Sequence, residues 1–158
     1  MKNLLVILIF TFTTIGLNAQ YGVDNILRKY KNDPGVIAWQ FEGDLASFLN
    51  RKDGEAVKSS IESVEFIIFN EGKNLSEKDQ EKLEKKIDSD NYEMLVQARD
   101  KGKKIKILGI EEGDIIKKVF AQVKSEGYNV YFFLTGKIYL EDLSALDIEG
   151  MLKGVNID

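Results

Sequence analysis

Three acids stand together in the run KILGIEEGDII: Glu111, Glu112 and Asp114. Two carboxylates that converge in a cleft can divide general-acid and general-base work. Acids at the end of a strand can also hold a cation or an amine, because ligands gather at strand ends in α/β folds. A plainer reading has Asp114 capping a helix that follows, with the other two acids solvated nearby, since carboxylates are stabilised at helix N-termini. The plainer reading is the better supported. Asp88-Ser89-Asp90-Asn91 opens like a calcium loop, but such a loop needs glycine at its sixth position and a bidentate acid at its twelfth. Those positions hold Glu93 and Arg99, so the calcium reading fails and capping acids between two helices account for the run. Ser59, Ser60 and Ser63 lie beside Lys58, yet no serine elbow, Ser-x-x-Lys pair or glycine-rich phosphate loop accompanies them.

Composition narrows the chemistry further. The 158 residues include no histidine and no cysteine. The side chain that titrates nearest neutrality is therefore missing as acid, base or metal ligand. Thiol nucleophiles, disulfides, zinc–thiolate sites and iron–sulfur ligation are missing with cysteine. This weighs against an enzyme, and no cofactor or metal is expected. Hydrophobic content of 44% beside 30% charge suits one ordered globular domain. A net charge of −4 disfavours nucleic acid or an anionic membrane as partner.

The first nineteen residues read as an address. Lys2 precedes an apolar run from Leu4 to about Leu17, and Ala19 precedes Gln20. That is the pattern of a cleaved secretory signal, and the run is short of the ~20 residues that span a bilayer. Lipid attachment after cleavage would need a cysteine. The expectation is a signal over 1–19, a single domain over 20–158, an extracytoplasmic location (periplasmic or secreted) and no stable membrane anchor.

The elements that would position these residues centre on Lys104–Tyr139. KIKILGI alternates with a period of two, as a half-buried strand does. Ile115, Ile116, Val119, Phe120 and Val123 form a stripe at helical spacing after Asp114, and Gly127 stands where a helix would stop. YNVYFFLT then reads as a second, far more apolar strand. Upstream, VIAWQFE and SVEFIIFNE read as strands, and Ser76 followed by Asp79 opens a charged helix over EKDQEKLEKKID. Short helices are expected over Val23–Tyr30, from Asp44 over DLASFLN, from Asp90 through Tyr92, Leu95 and Val96 to Gly102, and after Glu141. Four strands separated by helices predict an α/β (α+β) domain, a roughly four-stranded mixed sheet with helices packed on it, for which a ferredoxin-like order is one arrangement.

Aromatic residues offer the other candidate surface. If helices cover only one face of the sheet, Tyr131 and Phe133 are exposed, with Trp39 or Phe69 nearby, and such a patch marks a partner or ligand surface. Cover on both faces makes the same residues core, which the continuous apolar strands favour.

RKYKNDPGVIAWQFEGDLASFL, YEMLVQARDKGKKIKILG and TGKIYLEDLSAL together resemble, in order and spacing, the exported Bacteroidetes proteins of domain of unknown function 4252. The resemblance spans nearly all of the chain after the signal. It implies an exported periplasmic or envelope domain and brings no established activity or site residues. The function expected is a non-catalytic module that binds an envelope protein or a small ligand. A carboxylate-dependent extracytoplasmic hydrolase and a carrier of an apolar small molecule are the alternatives.

Overall fold

The computed structural model describes residues 22–43, 58–70, 72–100 and 102–143. The expected signal over 1–19, the helix expected from Asp44 and everything after Leu143 lie outside the described residues.

Among the described residues nine elements follow one another: α1 (Val23–Arg28), β1 (Val36–Glu42), β2 (Ser60–Asn70), α2 (Glu77–Ser89), β3 (Glu93–Asp100), β4 (Lys103–Glu112), β5 (Ile115–Lys124), β6 (Tyr128–Ile138) and α3 (Leu140–Leu143). The strands form one sheet in the order β1-β2-β6-β5-β4-β3, and every neighbouring pair is antiparallel. The meander β3–β4–β5–β6 is closed by short turns. Alternating directions make β2 and β3 point the same way with three strands between them, and α2 is the crossover that joins them over one face.

The expected four-stranded mixed sheet with packed helices, ferredoxin-like or otherwise, is overturned by this six-stranded antiparallel sheet, which makes the fold mostly β. The first error lies at β5. Val119, Ala121 and Val123 belong to one core cluster and Phe120 to the other, so the strand is apolar on both faces. A run that dense contains i, i+3, i+4 spacing by necessity, and periodicity alone cannot separate strand from helix. Its β-branched residues favour the strand, and the deciding signal is the two-residue turn Gly113-Asp114 between paired Glu112 and Ile115. Gly113 takes φ +64°, as tight hairpin turns require. Asp114 therefore sits in a hairpin turn and caps no helix.

The second error is β3, where a stripe at Tyr92, Leu95 and Val96 was expected to be helical. β3 is an edge strand with a register irregularity between Met94 and Val96, and that irregularity breaks the alternation that would have announced it. Met94 and Val96 are exposed and only Leu95 turns toward the core.

Where the sequence reading held, the physics is direct. β2 and β6 are adjacent interior strands and are buried on both faces. One face carries Val64, Phe66, Ile68, Val130, Phe132 and Leu134, with Leu143 of α3 packed against them. The other face carries Ile67, Phe69, Leu108, Phe120, Tyr131 and Phe133 beneath α1 and α2. α2 is almost wholly charged and rests on Leu83 and Ile87 alone of its own apolar residues. Ser76 caps it by accepting the Asp79 amide at 3.3 Å, as its sequence indicates.

One close approach fixes how β2 meets β6. Gly136 lies opposite Ile61 at φ +153°, and a Cβ there would stand 2.1 Å from the Ser60 carbonyl oxygen. Backbone cannot yield as a flexible side chain would. Gly136→Ala should therefore lose about 3 kcal/mol or more in urea unfolding. Gly127→Ala, with open space around it and no positive φ, should stay within about 0.5 kcal/mol of the parent. Equal stability of the two variants would refute the crowding argument.

Candidate functional site

Register decides which of the expected aromatic residues can meet a partner. Tyr131 pairs with Ile67, while Phe132 pairs with Phe66 and Phe66 with Trp39. Residues paired across antiparallel strands share a face, so Trp39 lies on the opposite face from Tyr131, Phe133 and Phe69. The last three form a closed aromatic group under the helices. Phe69 meets Tyr131 edge-on at 5.6 Å, Phe120 lies 6.2 Å from Tyr131 and 5.2 Å from Phe133, and Tyr30 caps Phe69 at 5.4 Å. Tyr131 is 1% exposed and Phe133 8%. Burial pushes the Tyr131 phenol up to about 12, with the neighbouring Gln122 amide opposing. The structure thus makes core of Phe69, Tyr131 and Phe133 and leaves Trp39 at the surface.

Trp39 and Phe41 project from β1, the outermost described strand on that side of the sheet. They are 39% and 40% exposed, and their rings meet edge-on at 6.4 Å. Ile37, two residues earlier on the same face, is partly buried against the core. The face therefore grades from core into an aromatic rim.

The acids singled out for chemistry do not converge. Glu111 and Glu112 are successive residues of β4, so their side chains leave opposite faces of the strand. Asp114 occupies the turn, and all three are exposed. Glu112 has Lys117 at 3.4 Å. Among the described residues no group of three or more acids is arranged to hold a metal ion.

Two buried carboxylates that the sequence reading passed over sit where α1 meets the sheet and α2. Glu65, in the middle of β2 and 4% exposed, accepts both Nε and Nη2 of Arg28, at 2.9 and 2.7 Å to Oε2. Lys31 adds an ion pair at 2.8 Å. Asp79, 5% exposed, accepts the ammonium of Lys29, the Tyr30 hydroxyl at 2.5 Å and the Ser76 hydroxyl at 2.7 Å. Those donors, Lys29 first, hold the Asp79 carboxyl well below the usual carboxylate range. A small cavity of about 100 Å³ opens beside Glu65, lined in part by Asp24, Arg28, Asp90, Tyr92 and Lys118. Burial, then Asp90 and Asp24, push the Tyr92 phenol up to about 12. Both carboxylates have donors on them, cations at Glu65 and a cation with two hydroxyls at Asp79, an arrangement that clamps a helix and supplies no free base. A signal for Glu65 was present: an acid inside the apolar run VEFIIF must find a cation when buried. Which cation would answer it depended on how α1 folds back.

Residues 30–146 match the model of a family described as "Domain of unknown function (DUF4252)". No curated protein matches the chain. Among solved structures, the Mycobacterium tuberculosis protein LppA is similar at 10% identity and a TM-score of 0.35, over 82% of this chain and 78% of that one. A likeness that slight carries no argument about fold or function.

The Asp79 cluster predicts an acid limb in stability. A carboxyl whose pKa is depressed in the fold stabilises the protein above its unfolded value of about 3.8 and loses that contribution as pH falls toward the depressed one. Thermal midpoints should fall more steeply below about pH 4 for the parent than for Asp79→Asn. At pH 7 the variant should melt about 3–6 °C lower. Parallel pH profiles for the two proteins would show that Asp79 is not the linked group.

Proposed function

The chain belongs to the family of DUF4252, a domain of unknown function, and from that premise we propose that it is an exported, non-catalytic binding domain of the cell envelope. Export rests on the leader pattern of residues 1–19: Lys2, the apolar run and Ala19. Among the described residues no helix is long and apolar enough to cross a membrane.

The observation that carries the binding assignment is Trp39 with Phe41 at the rim of β1. Among the described residues no strand pairs with the outer side of β1; a strand so placed can offer a row of ladder groups to an extended segment, and proteins commonly shield such edges with charge, proline or bulges. Here an indole and a phenyl ring line the face beside that row instead. The partner that fits is an envelope protein that presents an extended segment with apolar side chains at alternate positions. Ladder hydrogen bonds would supply affinity and the aromatic rim selectivity. Tryptophan is also the residue type most often found to dominate binding energy at interfaces.

The alternatives draw less support. Carboxylate hydrolysis needs two acids in a cleft, and Glu111, Glu112 and Asp114 diverge on a hairpin tip. An apolar cargo needs a roomy apolar cavity of several hundred Å³, and the cavity beside Glu65 holds about 100 Å³ and sets Asp24, Arg28, Asp90 and Lys118 among its apolar lining.

A photo-crosslinking phenylalanine analogue at position 39, expressed in the native envelope, should give one discrete adduct. The same analogue at Glu81, exposed on α2, should give none. Loss of the adduct on Phe41→Ala would tie it to the rim. An inert position 39, or the same adducts from both positions, would remove the basis for this function.

A further inference from the structure

The opposite flank of the sheet carries a different chemistry. Across β3, β4 and β5, Arg99 pairs with Lys104 and Lys104 with Lys124; one step along, Gln97 pairs with Lys106 and Lys106 with Gln122. Cross-strand partners share a face, and residues two apart share it as well. These six side chains therefore form two adjacent rows on the face that carries Leu108 and Phe120, and they line one open groove of about 280 Å³. The first row is cationic throughout. The second is amide, cation, amide.

Three features of this arrangement run against stability alone. Like charges set directly opposite one another on neighbouring strands repel, and the first row holds three in succession. Among the described residues none of Arg99, Lys104, Lys106 and Lys124 has a carboxylate partner, although the chain as a whole is acidic. Gln122 is 8% exposed, and its buried Nε2 reaches no acceptor at full hydrogen-bonding geometry, with the hydroxyl of its cross-strand partner Tyr131 as its nearest polar company. A buried, unmatched amide donor carries a desolvation penalty. The groove thus gathers donors and cations and lacks the acceptors to match them.

We infer that this groove binds a small multivalent oxyanion, a molecule carrying two or more phosphate or carboxylate groups. Strands lie about 4.8 Å apart, so the cationic row spans about 10 Å from β3 to β5. That span exceeds what one oxyanion group needs and suits two. Arg99 supplies a planar fork of donors, and the lysines supply mobile point charges. The volume lies near the lower end of small-molecule sites. The groove is remote from the β1 rim, so the two assignments stand or fall separately.

Pyrophosphate and citrate, titrated by calorimetry into the protein at fixed ionic strength, test this. At least one should bind saturably with one-to-one stoichiometry. Lys104→Gln should weaken that binding about tenfold or more, as the loss of one charge-assisted contact implies. The same variant should melt about 1–2 °C higher without ligand, because a repulsion across the first row is gone. A purely structural lysine would not show the two effects together. Lys78→Gln on α2, an equal change in net charge at an exposed site, should leave affinity within twofold. The inference is overturned if neither anion saturates, if Lys78→Gln weakens binding as much as Lys104→Gln, or if only phosphatidylglycerol vesicles bind while both free anions do not.

Discussion

The structure depends on a sheet in which two neighbouring interior strands cannot face water on either side. β2 and β6 are buried on both faces through Val64–Phe69 and Val130–Leu134, and each large side chain so buried is worth roughly 1.5–3 kcal/mol. Cover for the helical face comes from elements with few apolar residues of their own. α1 offers Val23 and Leu27, and α2 offers Leu83 and Ile87. The ionic clamps compensate for that thin apolar contact. Arg28 and Lys31 reach Glu65 on the sheet, and Lys29 and Tyr30 reach Asp79 on α2. One short stretch, residues 28–31, therefore binds the sheet and the crossover helix at once. Without the buried strands there would be nothing for the clamp to hold down.

How much of this was legible follows from which faces are buried. β1 and β4 alternate, and α2 begins with its cap, so single-sequence patterns identified them. β2 and β6 were legible as continuous apolar runs because no helix-length segment competed. β5 has the same kind of run but includes Lys117 and Lys118, which gave it the look of an amphipathic helix. Gly113-Asp114 was the corrective signal, outweighed by the capping interpretation of Asp114. At the surface, the expectation grouped Trp39 with Tyr131 by residue type, although pairing order decides which face each takes. With β6 next to β2 and β2 next to β1, parity of register separates them. No local pattern carries that information, because it arises from a ladder closed between distant segments. Glu65 was legible as a demand for a partner, and Arg28 became identifiable as that partner only in three dimensions.

The sheet presents unlike chemistry at its two flanks. At β1 the exposed face is aromatic, and next to β3 it is cationic. The chain as a whole is acidic, at −4, with Glu111, Glu112 and Asp114 together at the β4–β5 turn, while four of its cations gather in one groove.

The order of the strands also governs how the chain can reach this state. The meander from β3 to β6 closes through turns of a few residues, and such contacts cost little loop entropy. The β2–β6 ladder joins Asn70 to Tyr128 at its nearer end and Ser60 to Lys137 at its farther one, so 58 to 77 residues separate partners. Sheets that depend on pairings this remote in sequence fold slowly. Until that ladder closes, β6 has an unpaired apolar edge, open to pairing with another chain. Gly136, which admits the close approach of β2 to β6, thus stands at the step that ends the period of exposure.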